Sequence, residues 1–388
     1  MPGLVRFPTL EQLHRRRSAK WTRFGPDVLP MPVAEMDCHL QADIARVLHE
    51  AVDAGDTGYP GVDPGYVDAF RGFAAERWGW QLDADQVLTC ADVSVAGIQS
   101  MRALLDPGDG VIINQPVYPP FFDWPASAGM RRVDVPLLRE GNRWQLDLPG
   151  IEAAFAAGAR AMLLCHPHNP VGRVHPASQL AGLAEITERH HGYVISDEIH
   201  APLTLPGNQF PPFLTVSDTA RRVGVALHSA SKAWNLAGLK SAFIVTAEPG
   251  LAAAFAGKRD PLLWKAGHFG GLAGQAAYQH GAGWLRELLE VLGANHRRVQ
   301  ERLPELVPGA VVSDAEAGYL SWIDLREAGW PGEPGDLLLE HGRLATEPGP
   351  RFGADVGAGH VRLNIGCSPN LLDEALARFA ATHQHVCG

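Results

Sequence analysis

The 388 residues contain no apolar run near the roughly 18 positions that a membrane-spanning helix needs, which argues against a membrane partner. The opening segment MPGLVRFPTLEQLHRRRSAKW has basic residues but lacks the apolar centre of a secretory signal, so the expected compartment is the cytoplasm. Cysteine is sparse and unpatterned. Its five positions, Cys38, Cys90, Cys165, Cys367 and Cys387, are odd in number and form no CxxC or Cys/His spacing, which argues against disulfides and against a metal site. Positive charge is in deficit: 33 Lys and Arg stand against 43 Asp and Glu, a formal net charge of −10 that disfavours nucleic acid as a partner. No G-x-G-x-x-G follows a strand, and GHFGGLAG at Gly267 lacks a preceding apolar run, so a nicotinamide enzyme is disfavoured too. No repeat, low-complexity tract or Gly/Ser linker divides the chain, which points to interleaved domains.

What the chain does have is alternation. Short, continuous apolar runs at 87–89, 111–114, 133–137, 161–165, 193–196, 225–227 and 242–246 are separated by helical spacing at 93–105, 121–128, 151–157 and 180–191. Two more helices, at 41–54 and 66–78, flank a loop at 56–65. Strands that are apolar throughout and separated by helices belong to a mainly parallel sheet covered on both faces. A chain longer than the roughly 250–300 residues at which one core stops growing predicts two domains. The large one is expected at 41–271. The smaller, α+β one combines 1–40 with 272–388, where helices at 272–292 and 295–306, strands at 311–312, 319–325 and 360–365, and a last helix at 370–385 capped by Asn370 are read.

Ligands of such sheets sit at the carboxyl ends of the strands, and Tyr118, Asn169, Asp197 and Lys232 all fall there. Lys232 lies in HSASKAWNLAGLKSAFIV, after a short Ser-Ala-Ser approach and before the turn formers Asn235 and Gly238, a poor place for core packing. Lysine amines form Schiff bases with carbonyl compounds and with pyridoxal phosphate once charge or desolvation lowers their pKa. Ser229 and Lys240 bracket it and could grip a phosphate from both sides, while the helix start at Asp92 and Val93 offers free backbone N–H groups to an anion. A pyridoxal phosphate site also needs an anion at the ring nitrogen, a flat group against the ring and a donor to the phenolic oxygen. Asp197 in VISDEIH, Tyr118 in QPVYPPF and Asn169 in HPHNPVG have those chemistries; an N-cap, a packed ring and a turn residue are their plain structural alternatives. Arg362, inside the apolar strand HVRLNIG, is either a bidentate clamp for a substrate carboxylate or a structural ion pair.

NPVG, SDEIH, SASKAWNLAGL and VRLN, in this order and spacing, resemble the fold type I pyridoxal-phosphate enzymes, and within them the MalY/PatB-like cystathionine β-lyases, or C–S lyases, among the class I/II aminotransferases. The likeness runs from VAEMD at Val33 to the C-terminal helix. It implies an α/β fold of the pyridoxal-phosphate-dependent transferase type I, with a large domain on a mainly parallel seven-stranded sheet and a smaller α+β domain. It implies pyridoxal 5'-phosphate as cofactor, with Lys232 as the Schiff-base lysine, Asp197 at the pyridine nitrogen, Asn169 and His200 near the phenolic oxygen and Tyr118 on the ring. Ser229, Lys240 and the backbone of Asp92 and Val93 would hold the phosphate, Arg362 would take the substrate α-carboxylate, and Val33 and Ala34 would border the substrate. Tyr59 in GYP would reach the phosphate of the neighbouring subunit, which implies a homodimer with shared active sites. The implied reaction is β-elimination from an L-cysteine S-conjugate or cystathionine to thiol, pyruvate and ammonia. Transamination is the alternative, and a catalytically idle cofactor-binding module a remoter one.

The sequence departs from those relatives in two places. They carry W-V-A-D/E-M-D-F, where this chain has Pro32 in place of the tryptophan and Cys38 in place of the phenylalanine; and Ala201-Pro202 follow SDEIH where relatives often have C-D. The two missing rings predict extra volume on the substrate side, suited to a bulky substituent on sulfur. His39 is either a polar contact for that substituent or a solvated loop residue.

Overall fold

The computed structural model describes residues 3–61, 64–257 and 266–388; Val62 and Asp63 of the loop expected at 56–65 lie outside them. The seven apolar runs become one seven-stranded sheet. From one edge its order is Val87–Cys90, Ala242–Thr246, Gly224–His228, Tyr193–Asp197, Ala159–Cys165, Gly110–Ile113 and Arg131–Asp134. All neighbours are parallel except those of Ala242–Thr246, which runs against both Val87–Cys90 and Gly224–His228. Strands Gly110–Ile113, Gly224–His228 and Ala242–Thr246 are buried along their whole length, because helices cover both faces and leave no face for alternating polar residues.

The single reversed strand decides what meets at the active edge. Parallel strands deliver their carboxyl ends to one side, whereas the reversed strand delivers its amino end. Lys240 and Ser241, just before Ala242, therefore arrive beside the residues that follow the other strands. The pairing of Ala242 with Cys90 likewise sets Lys240 against Asp92.

A second, four-stranded antiparallel sheet is ordered Val311–Val312, Leu320–Asp324, His360–Asn364, Glu347–Pro348. Arg362 sits in its third strand, with Trp322 and Glu347 as its register partners. Helix Pro369–Cys387 packs against the long helix Ala282–Leu306. Among the described residues no helix is long and apolar enough to cross a membrane.

Two expectations are corrected here. The chain breaks between helices at Gly281 rather than near 293, giving His268–His280 and one 25-residue helix Ala282–Leu306. A side chain at Gly281 would collide with the Trp234 indole nitrogen and the Ala277 carbonyl. Asn295 is kept helical because its amide leaves the helix to donate to the carbonyls of Ile365 and Cys367 at 2.9 and 3.0 Å, so a tertiary contact overrides a weak helix former. The last helix is capped by Ser368, whose Oγ accepts from the Leu371 N–H at 3.3 Å with Pro369 at the first helical position; Asn370 lies inside the helix. Helix Pro334–Gly342 and the short pair Leu29–Pro30 with Leu344–Ala345 were not read from the sequence.

Candidate active site

A cavity of about 110 Å³ opens at the carboxyl edge of the large sheet, and Asp92, Val93, Tyr118, Asn169, Asp197, His200, Lys232 and Lys240 all line it. Register brings the central pieces level: Cys165 pairs with Asp197, and Asp197 with Leu227, five residues before Lys232.

The lysine loop is shaped by Ser229, whose Oγ accepts from the Ser231 N–H at 3.0 Å and donates to the Ser241 carbonyl at 2.6 Å. That hydroxyl is buried and already engaged, so Ser229 ties the turn together instead of facing the cavity; Ser231 is the serine that lines it. Lys232 is half-buried and its Nζ donates to the Ala34 carbonyl at 3.0 Å. Burial, helped by the Arg362 charge, pulls its pKa down to about 8 against the opposing pull of Asp197 and Glu35.

Asp197 is buried at its strand end, and its Oδ1 accepts from the Ile199 N–H at 3.1 Å. Burial pushes its pKa up to about 7, against the Ile199 bond and the charge of Lys232. His200 is buried beside it, and desolvation together with Lys232 and Arg362 pulls its pKa down to about 3, so it is neutral at physiological pH. Tyr118 is half-buried on a loop fixed by the His168 ring on the Pro116 carbonyl at 2.9 Å and by Val117 N–H on the Phe352 carbonyl at 3.0 Å. Burial pushes its phenol up to about 12.

At the phosphate end, Asp92 caps helix Val93–Leu104, accepting from Val95 N–H at 2.8 Å, and its other oxygen takes the Lys240 ammonium at 2.8 Å. Lys240 adopts φ +60°, a left-handed conformation that costs a side-chain-bearing residue energy. Ser94 and Trp124 also line this part.

Arg362 closes the site from the second sheet. Buried, it donates from Nη1 to Asn169 Oδ1 at 3.1 Å and from Nη2 to the Pro32 carbonyl at 2.8 Å, with its guanidinium 4.8 Å from the Phe352 ring centroid. Among the described residues its buried Nε finds no acceptor.

The segment from Pro32 to Met36 is held by its carbonyls. Asn364 Nδ2 donates to those of Val33 and Glu35 at 2.5 and 2.7 Å, Tyr319 Oη to that of Ala34 at 2.9 Å, and Asn235 bonds both the N–H and the carbonyl of Met36 at 2.9 and 3.0 Å. One expectation fails here, that of Cys38, while His39 takes the solvated-loop alternative. Cys38 is buried in the main hydrophobic core with Met36 and Trp21, and His39 is exposed with its N–H on the Arg6 carbonyl. Neither lines the cavity, so the missing aromatic at 38 opens no volume on the substrate side. Tyr59, 94% exposed, also lies outside this chain's cavity.

Pyridoxal phosphate fits this donor set group for group. Asp197 is a buried acid whose ionised form wants a cationic N–H partner, Lys232 is a desolvated amine, Tyr118 is a flat ring, and the start of helix Val93–Leu104 with Lys240 forms an anion cradle. Among the described residues no cluster of His, Cys, Asp or Glu could hold a metal ion. Sequence reasoning missed Ser231, Ser94, Trp124 and Tyr319. The first two were one residue from chosen positions, whereas Tyr319, at the start of a strand far down the chain, carried no local signal.

Residues 39–379 match the model of the family described as aminotransferase class I and II. The chain is 39% identical over 395 residues to a Mycobacterium leprae protein provisionally named cystathionine beta-lyase, with 96% of each chain covered. It is 33% identical to the cystathionine beta-lyase of Corynebacterium glutamicum, over 97% of this chain and 100% of that one. The crystal structure of a Corynebacterium diphtheriae protein, provisionally described as a PLP-dependent beta-cystathionase, superposes with a TM-score of 0.94 at 33% identity, covering 98% of this chain and 99% of that chain. Fold, motif order and relatives agree: the chain belongs to the class I and II aminotransferase family.

Proposed function

We propose that the protein is a pyridoxal-phosphate-dependent C–S β-lyase that converts an L-cysteine S-conjugate or cystathionine, with one water, into thiol, pyruvate and ammonia. The observation that carries this reading is the Lys232 amine and the buried acid Asp197 lining one cavity, with the buried Arg362 bonded to Asn169 of its wall, in a chain whose similar relatives are named for cystathionine cleavage.

Bound there, pyridoxal phosphate supplies the electron sink that lets the Cα–H bond of an amino acid break near neutral pH. Lys232 would hold the group through its amine, and Asp197 would face its ring nitrogen and keep it protonated. Tyr118 would lie against the ring, and Asn169 and His200 would border the phenolic oxygen. Lys240 and the backbone of Asp92 and Val93 would hold the phosphate, with Ser231 in place of Ser229. Arg362 would grip the substrate α-carboxylate, with Val33 and Ala34 alongside. The Lys232 amine would take the proton from the substrate Cα, a base role suited to a pKa of about 8. The Cβ–S bond then breaks, sulfur leaves with the bonding pair and picks up a proton, and the released aminoacrylate is hydrolysed by water.

The reading extends to organisation. Residues 41–271 would form the cofactor-binding domain and 1–40 with 272–388 the smaller one, with helix His268–His280 spanning the junction. Tyr59 would complete the phosphate site of a second subunit in a cytoplasmic homodimer.

Product analysis tests the reaction. With a cysteine S-conjugate and no added keto acid, thiol and pyruvate should form in equal amounts over many turnovers. A requirement for a second keto acid would instead make the protein an aminotransferase. Borohydride reduction followed by peptide mapping should place the trapped cofactor on Lys232.

A further inference from the structure

One oxygen serves two donors at the centre of the site. The Ala34 carbonyl accepts from Lys232 Nζ at 3.0 Å and from Tyr319 Oη at 2.9 Å. It cannot turn away from either. The peptides on both sides are fixed, by Asn364 at Val33 and Glu35 and by Asn235 at both backbone groups of Met36. Tyr319 is equally immobile: it is buried, its own carbonyl accepts from the Ile365 N–H at 2.8 Å, and its ring passes 6.2 Å from that of His200. Burial holds its phenol well above the ordinary range, so it stays a donor at every physiological pH.

A carbonyl oxygen has two lone pairs, and one donor bound to it weakens its hold on the next. The ammonium form of a lysine is held by a carbonyl more strongly than the neutral amine is, because its bond is charge-assisted. An acceptor beside Lys232 thus favours the form that cannot act as a base, unless something occupies part of that acceptor. We propose that Tyr319 is a positioning residue for Lys232: by filling one lone pair of the Ala34 carbonyl, it fixes the direction in which the amine is held and limits that oxygen's preference for the ammonium. This rests on the reading of Lys232 as the proton acceptor.

The other groups facing the amine come from four elements. Asp197 from the central strand and Glu35 from the 32–36 segment favour the ammonium, whereas Arg362 from the second sheet and Lys240 from the neighbouring turn oppose it; His200 faces it as a neutral ring. Tyr319 adds to the second group without carrying charge. Tyr319→Phe removes only the hydroxyl and leaves the ring in the core, so the fold is retained and a thermal melt checks it.

The experiment reads the Lys232 nitrogen itself. Cofactor-free wild type and Tyr319→Phe are pulsed with formaldehyde and cyanoborohydride between pH 6 and 9, and methylation is measured peptide by peptide, with the exposed Lys240 as internal reference. The apparent pKa of Lys232 should rise in the variant, and at pH 7.5 its methylation relative to Lys240 should fall by about three- to tenfold, the effect of losing one competing bond to a charged donor. In the loaded enzyme the acid limb of the kcat profile should move to higher pH with KM changed less. An unchanged or increased relative reactivity of Lys232 would overturn the proposal and leave Tyr319 a packing residue. Failure of the parent reading looks different: Lys232→Ala would keep turnover or a trapped adduct on another lysine, whatever Tyr319 does to the titration.

Discussion

Asn169 and Arg362 meet at 3.1 Å although 193 positions separate them, the amide oxygen accepting from Nη1 of an arginine carried by the other sheet. The bond joins the loop after Ala159–Cys165 to the strand His360–Asn364, so the two halves of the site are set against each other by a substrate-contact candidate and a cofactor-contact candidate. A structural arginine would be fully engaged here, yet Nε has no acceptor among the described residues.

Arg362→Lys should therefore separate binding from folding. A lysine keeps the charge but cannot serve Asn169, the Pro32 carbonyl and a carboxylate at once. The expected loss in kcat/KM is about 100-fold, the scale of one or two charge-assisted bonds, and most of it should be in KM. An amine substrate lacking the α-carboxylate should lose far less. Equal losses for both substrates would mean that the arginine is only structural.

Asp197 makes a prediction about pH. Its folded pKa of about 7 lies above the unfolded value near 4, so between those limits the folded form of the cofactor-free protein binds the extra proton. Stability from this group is fully present below pH 4 and is lost as pH rises through 7. Asp197→Asn mimics the protonated acid and should be insensitive to this change, so its stability relative to wild type should improve with rising pH, by at most about 1.4 kcal/mol per pH unit. Urea midpoints of both proteins at pH 5 and pH 8 measure it. A difference that stays flat would show that Asp197 is already ionised when buried.

The strand-end residues were legible because they lie beside continuous apolar runs, where local pattern and chemistry coincide. Asp197, Asn169 and Lys232 needed no tertiary information beyond the rule that parallel strands share a carboxyl edge. The direction of the Ser229 hydroxyl is not legible in the sequence because it depends on a turn bond to Ser231, which composition does not encode. Cys38 was misjudged because the face a segment without secondary structure turns to the core is set by its partners, here Arg16 on the Cys38 carbonyl at 2.8 Å. The carbonyl contacts of Val33, Ala34 and Glu35 were invisible for a simpler reason: backbone oxygens belong to every residue.

The buried pair Lys20–Asp37 should prove structurally critical and felt at the site. The ammonium lies 2.7 Å from the carboxylate, both side chains are at most 1% exposed, and Trp21 Nε1 adds a second bond to that carboxylate at 3.0 Å. Lys20→Met strands Asp37 in the core, at a cost of about 3–5 kcal/mol. Lys20 Nζ also reaches the Glu35 carbonyl at 3.3 Å, so the variant should loosen the 32–36 segment and raise KM for substrate. Pairing Lys20→Met with Asp37→Leu should recover much of the stability in a denaturant titration, since the uncompensated charge is gone. No recovery would mean that Trp21 and Asp37 hold the segment without Lys20.

Shared active sites give the last prediction, and it follows from where Tyr59 stands. The residue is 94% exposed, in a loop outside the cavity of its own chain, with the other candidate phosphate contacts at 92, 93 and 240. An aromatic that exposed leaves most of its apolar area in water, and burial against another subunit would remove that cost. If Tyr59 serves the partner's phosphate, defects in Tyr59 and Lys232 fall on the same site when placed on different chains. In a mixed dimer of Tyr59→Phe and Lys232→Ala chains, the Lys232→Ala subunit's own site receives both defects, while the other site pairs an intact Lys232 with an intact Tyr59. Differently tagged chains, co-expressed and purified through both tags, should therefore show about half the wild-type activity per dimer, although the Lys232→Ala homodimer is inactive and the Tyr59→Phe homodimer binds cofactor weakly. If Tyr59 instead acted within its own chain, the mixed dimer would have one site lacking Lys232 and one lacking the tyrosine hydroxyl. Its cofactor affinity at the working site would then match that of the Tyr59→Phe homodimer, and fluorescence titration of pyridoxal phosphate into the mixed species distinguishes the two arrangements.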